Sequence, residues 1–255
     1  MDFLPTCKPA VIALAIAGAV HSSAQVPPRT SPSASVVSVG ILALQQNGGG
    51  TDLRAMGGSV NGSGFVVGER YVITALHVVR ATQRLQQELR GTDNRLYVGV
   101  PDGNNFSPLP AELLDTDAAH DLALLKVKRL AHVPAVTLSS AAPSDGELVE
   151  AAGLPAMAGA ALVTNTGHMA DLSRVRFGRR IVKGMSDPDA AQLAPLHDFF
   201  VADMKTDEGM SGGPVYSVET RAVIGVVHGY TQDPAFAVFI PARYAMELMK
   251  RNGLQ

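Results

Sequence analysis

From Ser35 onward the apolar residues fall in short runs, broken by glycine, proline and polar turn residues, with almost no three-and-four spacing between them. The first set is Val36-Val37-Ser38-Val39, Gly64-Phe65-Val66-Val67, Tyr71-Val72-Ile73-Thr74, Leu96 to Val100 and Leu122 to Val127. The second is Gly146 to Ala152, Ala161 to Thr164, Arg180-Ile181-Val182, Phe199 to Ala202, Val215-Tyr216-Ser217, Val223 to Val227 and Phe236 to Ile240. Short runs punctuated in this way predict β-strands, and their succession without intervening helices argues an all-β architecture. Two groups of about six strands, joined near Val133 to Ser144, predict two six-stranded antiparallel β-barrels, at about 36–135 and 136–240. The cleft between them is the expected place for a site, because each half can offer side chains on rigid strand ends.

One helix is expected, over residues 241–252. Pro241 suits its first turn, Tyr244, Ala245, Leu248 and Met249 form an apolar stripe, and Lys250, Arg251 and Gly253 suit its end. It should pack on the second barrel. The glycine-rich stretch Gln45 to Gly62 reads as a mobile surface loop, and Arg174 to Lys183, with five basic residues and no acid, reads as a solvated hairpin.

Ahead of the strands, Lys8 precedes the apolar run Ala10 to Val20, and Ser22-Ser23-Ala24 offers small residues for cleavage. Residues 1–24 are therefore expected to be an export signal, despite Asp2, and 25–35 a Pro/Ser-rich linker to a domain at 36–255. The run is too short to span a bilayer. The sole cysteine, Cys7, lies in the leader, so the exported chain is expected to hold no disulfide and no thiolate-bound metal. A content of 46% hydrophobic and 17% charged residues suits a globular core, and a net charge of −2 gives no reason to expect a nucleic-acid or membrane partner.

Candidate chemistry centres on Gly209-Met210-Ser211-Gly212-Gly213-Pro214. Ser211 is the candidate nucleophile, and the glycines leave the backbone open, so that the N–H groups of Gly209 and Ser211 can converge on a developing oxyanion. A serine hydroxyl needs a base and an orienting carboxylate. His77, directly after the strand Tyr71 to Ala75, supplies the first, and Asp121, directly before the run Leu122 to Leu125, supplies the second. Asp117 and His120 are rivals nearby.

The order His77, Asp121, Ser211 resembles that of the chymotrypsin-like serine peptidases, and particularly their HtrA-like bacterial branch. Gly62 to Val79 is similar to the family's histidine block, Ala111 to Val127 to its aspartate block, Gly209 to Pro214 to its serine block, and Phe236 to Pro241 to its closing strand. The resemblance implies a double β-barrel, peptide-bond hydrolysis through an acyl-enzyme, a polypeptide substrate, and neither cofactor nor metal. Met210 departs from the family's usual Asp or Asn, so activation by a freed N-terminal ammonium is not expected. The PDZ domain of the HtrA-like branch is missing from the pattern, which points to a monomer. The family's layout places a specificity pocket near Lys205, Thr206, His228 and Gly229, where Lys205 and His228 would face an acidic substrate side chain.

Two rivals bear on function. Gly209-Met210-Ser211-Gly212-Gly213 also fits the nucleophile elbow of α/β-hydrolases, but that fold needs an Asp and then a His after the serine, whereas His228 precedes Asp233 here. A non-catalytic binding module on the same double barrel is the stronger alternative, since Met210 could disturb the oxyanion loop.

Overall fold

The computed structural model describes residues 31–46, 53–88, 93–102, 105–130, 132–155, 161–170, 198–230 and 236–255. The expected leader, most of the linker, the strand Arg180 to Val182 and the basic stretch Arg174 to Lys183 lie outside these residues. After a 3-10 turn at Pro32–Ser35 come β1 (Val36–Gln46), β2 (Leu53–Gly68), β3 (Tyr71–Ala75), the helix α1 (Leu76–Glu88), β4 (Asp93–Asp102), β5 (Asn105–Asp117) and β6 (Leu122–Val127). These six strands close into a barrel in the order β1-β2-β3-β6-β5-β4. The second half contains β7 (Leu148–Gly153), β8 (Val163–His168), β9 (Phe200–Ala202), β10 (Pro214–Ser217), β11 (Val223–Tyr230), β12 (Ala237–Pro241) and the helix α2 (Ala242–Arg251). Its sheet runs β8-β7-β10-β11-β12-β9 and curls until its outer strands meet at an antiparallel bridge, Met169 to Ala202. This is the chymotrypsin-like double barrel.

Strand alternation divides the core into three parts. On β2, β3 and β6 the inward residues Val66, Val72, Ala123 and Leu125 fill the first barrel. Their outward neighbours Phe65, Ile73, Leu122 and Leu124 pack against Tyr216, Val226, Ile240 and the helix residues Ala245 and Leu248. β6 is thus buried on both faces, which is why it reads as an unbroken apolar run. A third cluster, with Val215, Val227, Phe239 and Met210, fills the second sheet. Since Phe65, Leu122 and Tyr216 are each fully buried, the two halves are pressed together by core-like packing.

Three expectations need correction. Of the stretch Gln45 to Gly62, residues 45–46 and 53–62 belong to the β1–β2 strand pair, with Gln45 opposite Arg54 and Gly40 opposite Val60, while residues 47–52 lie outside the described residues. Helix α1 was not expected, because from Arg80 to Glu88 its sequence is polar on every side apart from Ala81 and Leu85, so no apolar stripe marks it. It forms from good helix formers, anchored by the buried residues Leu76, Val78, Val79 and Thr82. Finally, α2 packs on both halves: Ala245 and Leu248 join the shared core, while Arg251 and Asn252 donate to Asp115 at the end of β5.

Candidate active site

Pairing of β3 with β6 sets Ala75 opposite Leu122, so the residues just past those strand ends, His77 and Asp121, meet. His77 lies in the first turn of α1, whose leading N–H groups lack intrahelical acceptors. Asp121, just before β6, supplies acceptors for two of them. Its main-chain oxygen accepts the Leu76 N–H at 2.8 Å, and its Oδ1 accepts the His77 N–H at 2.9 Å. An anion at a helix N-terminus is favoured by the helix dipole, so one residue caps the helix and orients its histidine. To do so Asp121 adopts φ 54°, a left-handed conformation that aspartate tolerates better than most residues.

Asp121 Oδ2 lies 2.6 Å from His77 Nδ1 and 2.7 Å from His228 Nδ1. Burial alone would raise the carboxyl pKa, yet the hydrogen bonds from His228 and then His77 hold it far below the ordinary carboxylate range. His77 remains accessible, its side chain 38% exposed, while that of Asp121 is 13% exposed. The geometry gives a half-open imidazole backed by a nearly buried carboxylate.

Ser211 arrives on the loop before β10. Its hydroxyl donates to the His228 carbonyl oxygen at 3.1 Å and forms no hydrogen bond with the His77 ring. Gly209, at φ 93°, and Gly212, at φ 86°, turn the loop where an ordinary side chain would strain it; a Cβ on Gly212 would also strike Ser63 O. Among the described residues, the N–H groups of Gly209 and Ser211 donate to no protein acceptor, whereas those of Met210, Gly212 and Gly213 do. Met210 is fully buried, and its sulfur accepts from the Asp207 N–H at 3.4 Å and Asn165 Nδ2 at 3.6 Å. Far from loosening the loop, Met210 pins it to the second sheet.

Ser63 on β2 ties the two halves together at this point. Its N–H donates to Ser211 O at 2.8 Å, its hydroxyl donates to Gly209 O at 2.7 Å, and the same hydroxyl accepts the Leu154 N–H at 2.9 Å. Thr74 Oγ1 in turn donates to Ser63 O at 2.6 Å. The residue was seen only as part of a glycine-flanked block; a small hydroxyl residue between two glycines was its only signal.

The rivals are engaged elsewhere. Asp117 accepts from the Ala119 and His120 N–H groups and pairs with His120 Nδ1 at 2.8 Å. The His120 ring stacks on Tyr244 of α2 at 3.5 Å between centroids. Of the four pocket residues, Lys205 is exposed, Thr206 is buried with an unpartnered Oγ1, and Gly229 is buried. His228 is corrected: it faces Asp121, not a substrate side chain. The register of β11 against β12 slips between Val227 and Gly229, leaving His228 as an extra residue, and such a bulge re-aims a side chain.

A trypsin-like peptidase domain model matches residues 62–226, which contain Ser63, His77, Asp121 and Ser211. The chain belongs to that family. Over 167 residues it is 28% identical to "Serine protease HTRA1" of Xenopus laevis, covering 65% of this chain and 30% of that protein. The Xenopus tropicalis protein of the same name is 28% identical over 170 residues, 66% of this chain and 31% of its own length. The chain therefore spans under a third of these curated relatives. In fold it is similar to the solved structure "HtrA-type protease AlgW with decapeptide", with a TM-score of 0.61, 22% identity, and coverage of 87% of this chain and 64% of that one.

Proposed function

We propose that this trypsin-like domain is a serine endopeptidase in which Ser211 is the nucleophile, His77 the general base and Asp121 the orienting carboxylate. What carries the reading is the 2.6 Å bond from His77 Nδ1 to a nearly buried Asp121, beside a serine loop with two undonated N–H groups. Ser211 leaves the His228 carbonyl by a turn about χ1 and gives its proton to His77 Nε2 as Oγ attacks the substrate carbonyl carbon. Asp121 stabilises the imidazolium, and the Gly209 and Ser211 N–H groups receive the oxyanion. Collapse breaks the peptide C–N bond, with the His77 proton passing to the leaving amine. Water then hydrolyses the acyl-enzyme by the same route.

The substrate in this reading is a polypeptide. The enzyme acts as a monomer after export and removal of residues 1–24, for which the leader pattern is the support. Among the described residues no helix is long and apolar enough to cross a membrane. Labelling with a serine-reactive phosphonate tests the central claim. Stoichiometric labelling that Ser211→Ala abolishes supports the enzyme; a folded protein that takes up no label is instead a binding module, the reading favoured by Ser211 resting on His228.

A further inference from the structure

The contact between Asp121 and His228 lies outside the His77, Asp121, Ser211 scheme. Oδ2 receives two imidazole nitrogens, 2.6 and 2.7 Å away, from rings set at 83° with centroids 5.3 Å apart. With Oδ1 taken by the His77 N–H, the carboxylate has three protein donors and cannot turn without breaking one. We propose that His228 is a positioning residue of the site: its neutral Nδ1–H locks the Asp121 carboxylate, and its main-chain carbonyl holds the resting Ser211 hydroxyl. The proposal rests on the assignment of His77, Asp121 and Ser211 made above.

Chemistry selects the tautomer. An ionised carboxylate only accepts, so both nitrogens facing Oδ2 carry protons. The other nitrogen of His228, Nε2, is buried without a partner, and the side chain is only 6% exposed. A proton there would be a buried donor lacking an acceptor, and would set a second cation beside His77 with one carboxylate between them. His228 thus serves as a fixed dipole while His77 cycles its proton. Among the described residues, the titratable groups bonded or stacked against the His228 ring are Asp121, from the end of the β5–β6 connection, and His77, from α1. His120, next to Asp121 in sequence, is engaged by Asp117 and Tyr244.

The same three side chains have ligand atoms within 4.8 Å of one another, a grouping that a metal ion can use. A tetrahedral ion with bonds of about 2.0–2.1 Å holds its ligand atoms about 3.3 Å apart. The observed 2.6 and 2.7 Å are hydrogen-bond separations, so occupancy would require loss of both protons and an outward shift of Oδ2. The donor–acceptor reading needs neither.

Nitrogen-15 NMR of the full chain with labelled histidine tests this without any assay of activity. The expected result is His228 protonated at Nδ1 and bare at Nε2; an Nε2–H tautomer overturns the proposal. Two variants add a second readout. His228→Asn keeps an N–H near the Nδ1 position, and should retain the parent's Asp121 carboxyl carbon-13 titration and its kcat to within about threefold. His228→Leu removes the donor, and should move that titration to higher pH and lower kcat by roughly 10- to 100-fold, the size of a lost hydrogen bond to a charged group. Equal behaviour of the two variants overturns the proposal, and if His228→Leu does not fold, the tautomer decides alone. Failure of Ser211 labelling would remove the peptidase assignment and leave the tautomer result standing.

Discussion

Two aspartates four residues apart in the chain each pair with histidine, and the two arrangements differ in almost every physical respect. Asp117 and His120 are local partners at i and i+3, closed by an Asx-type turn and stacked on α2. Asp121 gathers groups from α1 and β11, elements far away in sequence, and it does so in a left-handed conformation just before a strand whose first four residues are buried. The first pair is a turn that fastens a helix. The second is set by the pairing of β3 with β6, and His228 joins it only where the two halves of the molecule converge. Proximity in sequence marks structure here, and distance marks chemistry.

The largest expected effects lie at the convergent pair. Ser211→Ala and His77→Ala should each lower kcat by several orders of magnitude, with the double variant losing little more, because the groups act as one unit. Losses that multiplied independently would break the proposed partnership. Next, Asp121→Asn should cost on the order of 10⁴ in kcat near neutral pH, as the asparagine presents the wrong partner to Nδ1, while Asp117→Asn should cost under about tenfold. If steady-state kinetics ranked these two the other way, the contrast between the pairs would collapse.

A thermodynamic effect follows in size. Because Asp121 is held below its ordinary range when folded, its contribution to stability is present above the unfolded carboxyl pKa, about 4, and is lost as pH falls from there towards the folded value. Asp121→Asn should therefore flatten the decline of stability below about pH 4 in urea titrations; an unchanged slope would remove the carboxylate from the acid response. The smallest effect belongs to Asp115, half-buried and bonded to Arg251 and Asn252. Asp115→Ala should lower the unfolding free energy by about 1 kcal/mol or less and leave kcat unchanged, separating the fastening of α2 from catalysis.

The sequence carried much of this in plain form. β3 and β6 are contiguous apolar runs with a histidine and an aspartate just beyond their paired ends, and the glycines around Ser211 have the positive φ that such a loop demands. β5 was illegible as a strand because Pro108 and Pro110 interrupt it. They are tolerated since β6 pairs with β5 only from Ala111 onward, which leaves that stretch bonded to β4 alone. The role of His228 was unreadable for a different reason: its direction depends on a one-residue slip between β11 and β12, and no local pattern announces such a slip. Tyr216 shows the same limit. Its hydroxyl, bonded to Glu150, has a pKa pushed up to about 12, first by burial and then by that carboxylate, and neither cause is visible from its place in Val215-Tyr216-Ser217.

Ser63 belongs to one half of the molecule, yet it holds the backbone on either side of Met210 in the other. The nucleophile's loop is thus completed by a residue that reaches it only after the halves have docked. A chain whose halves have not docked lacks the bonds that shape the Ser211 loop. In the proposed peptidase, docking of the halves would set when hydrolysis can begin, the part that a cleaved activation peptide plays elsewhere.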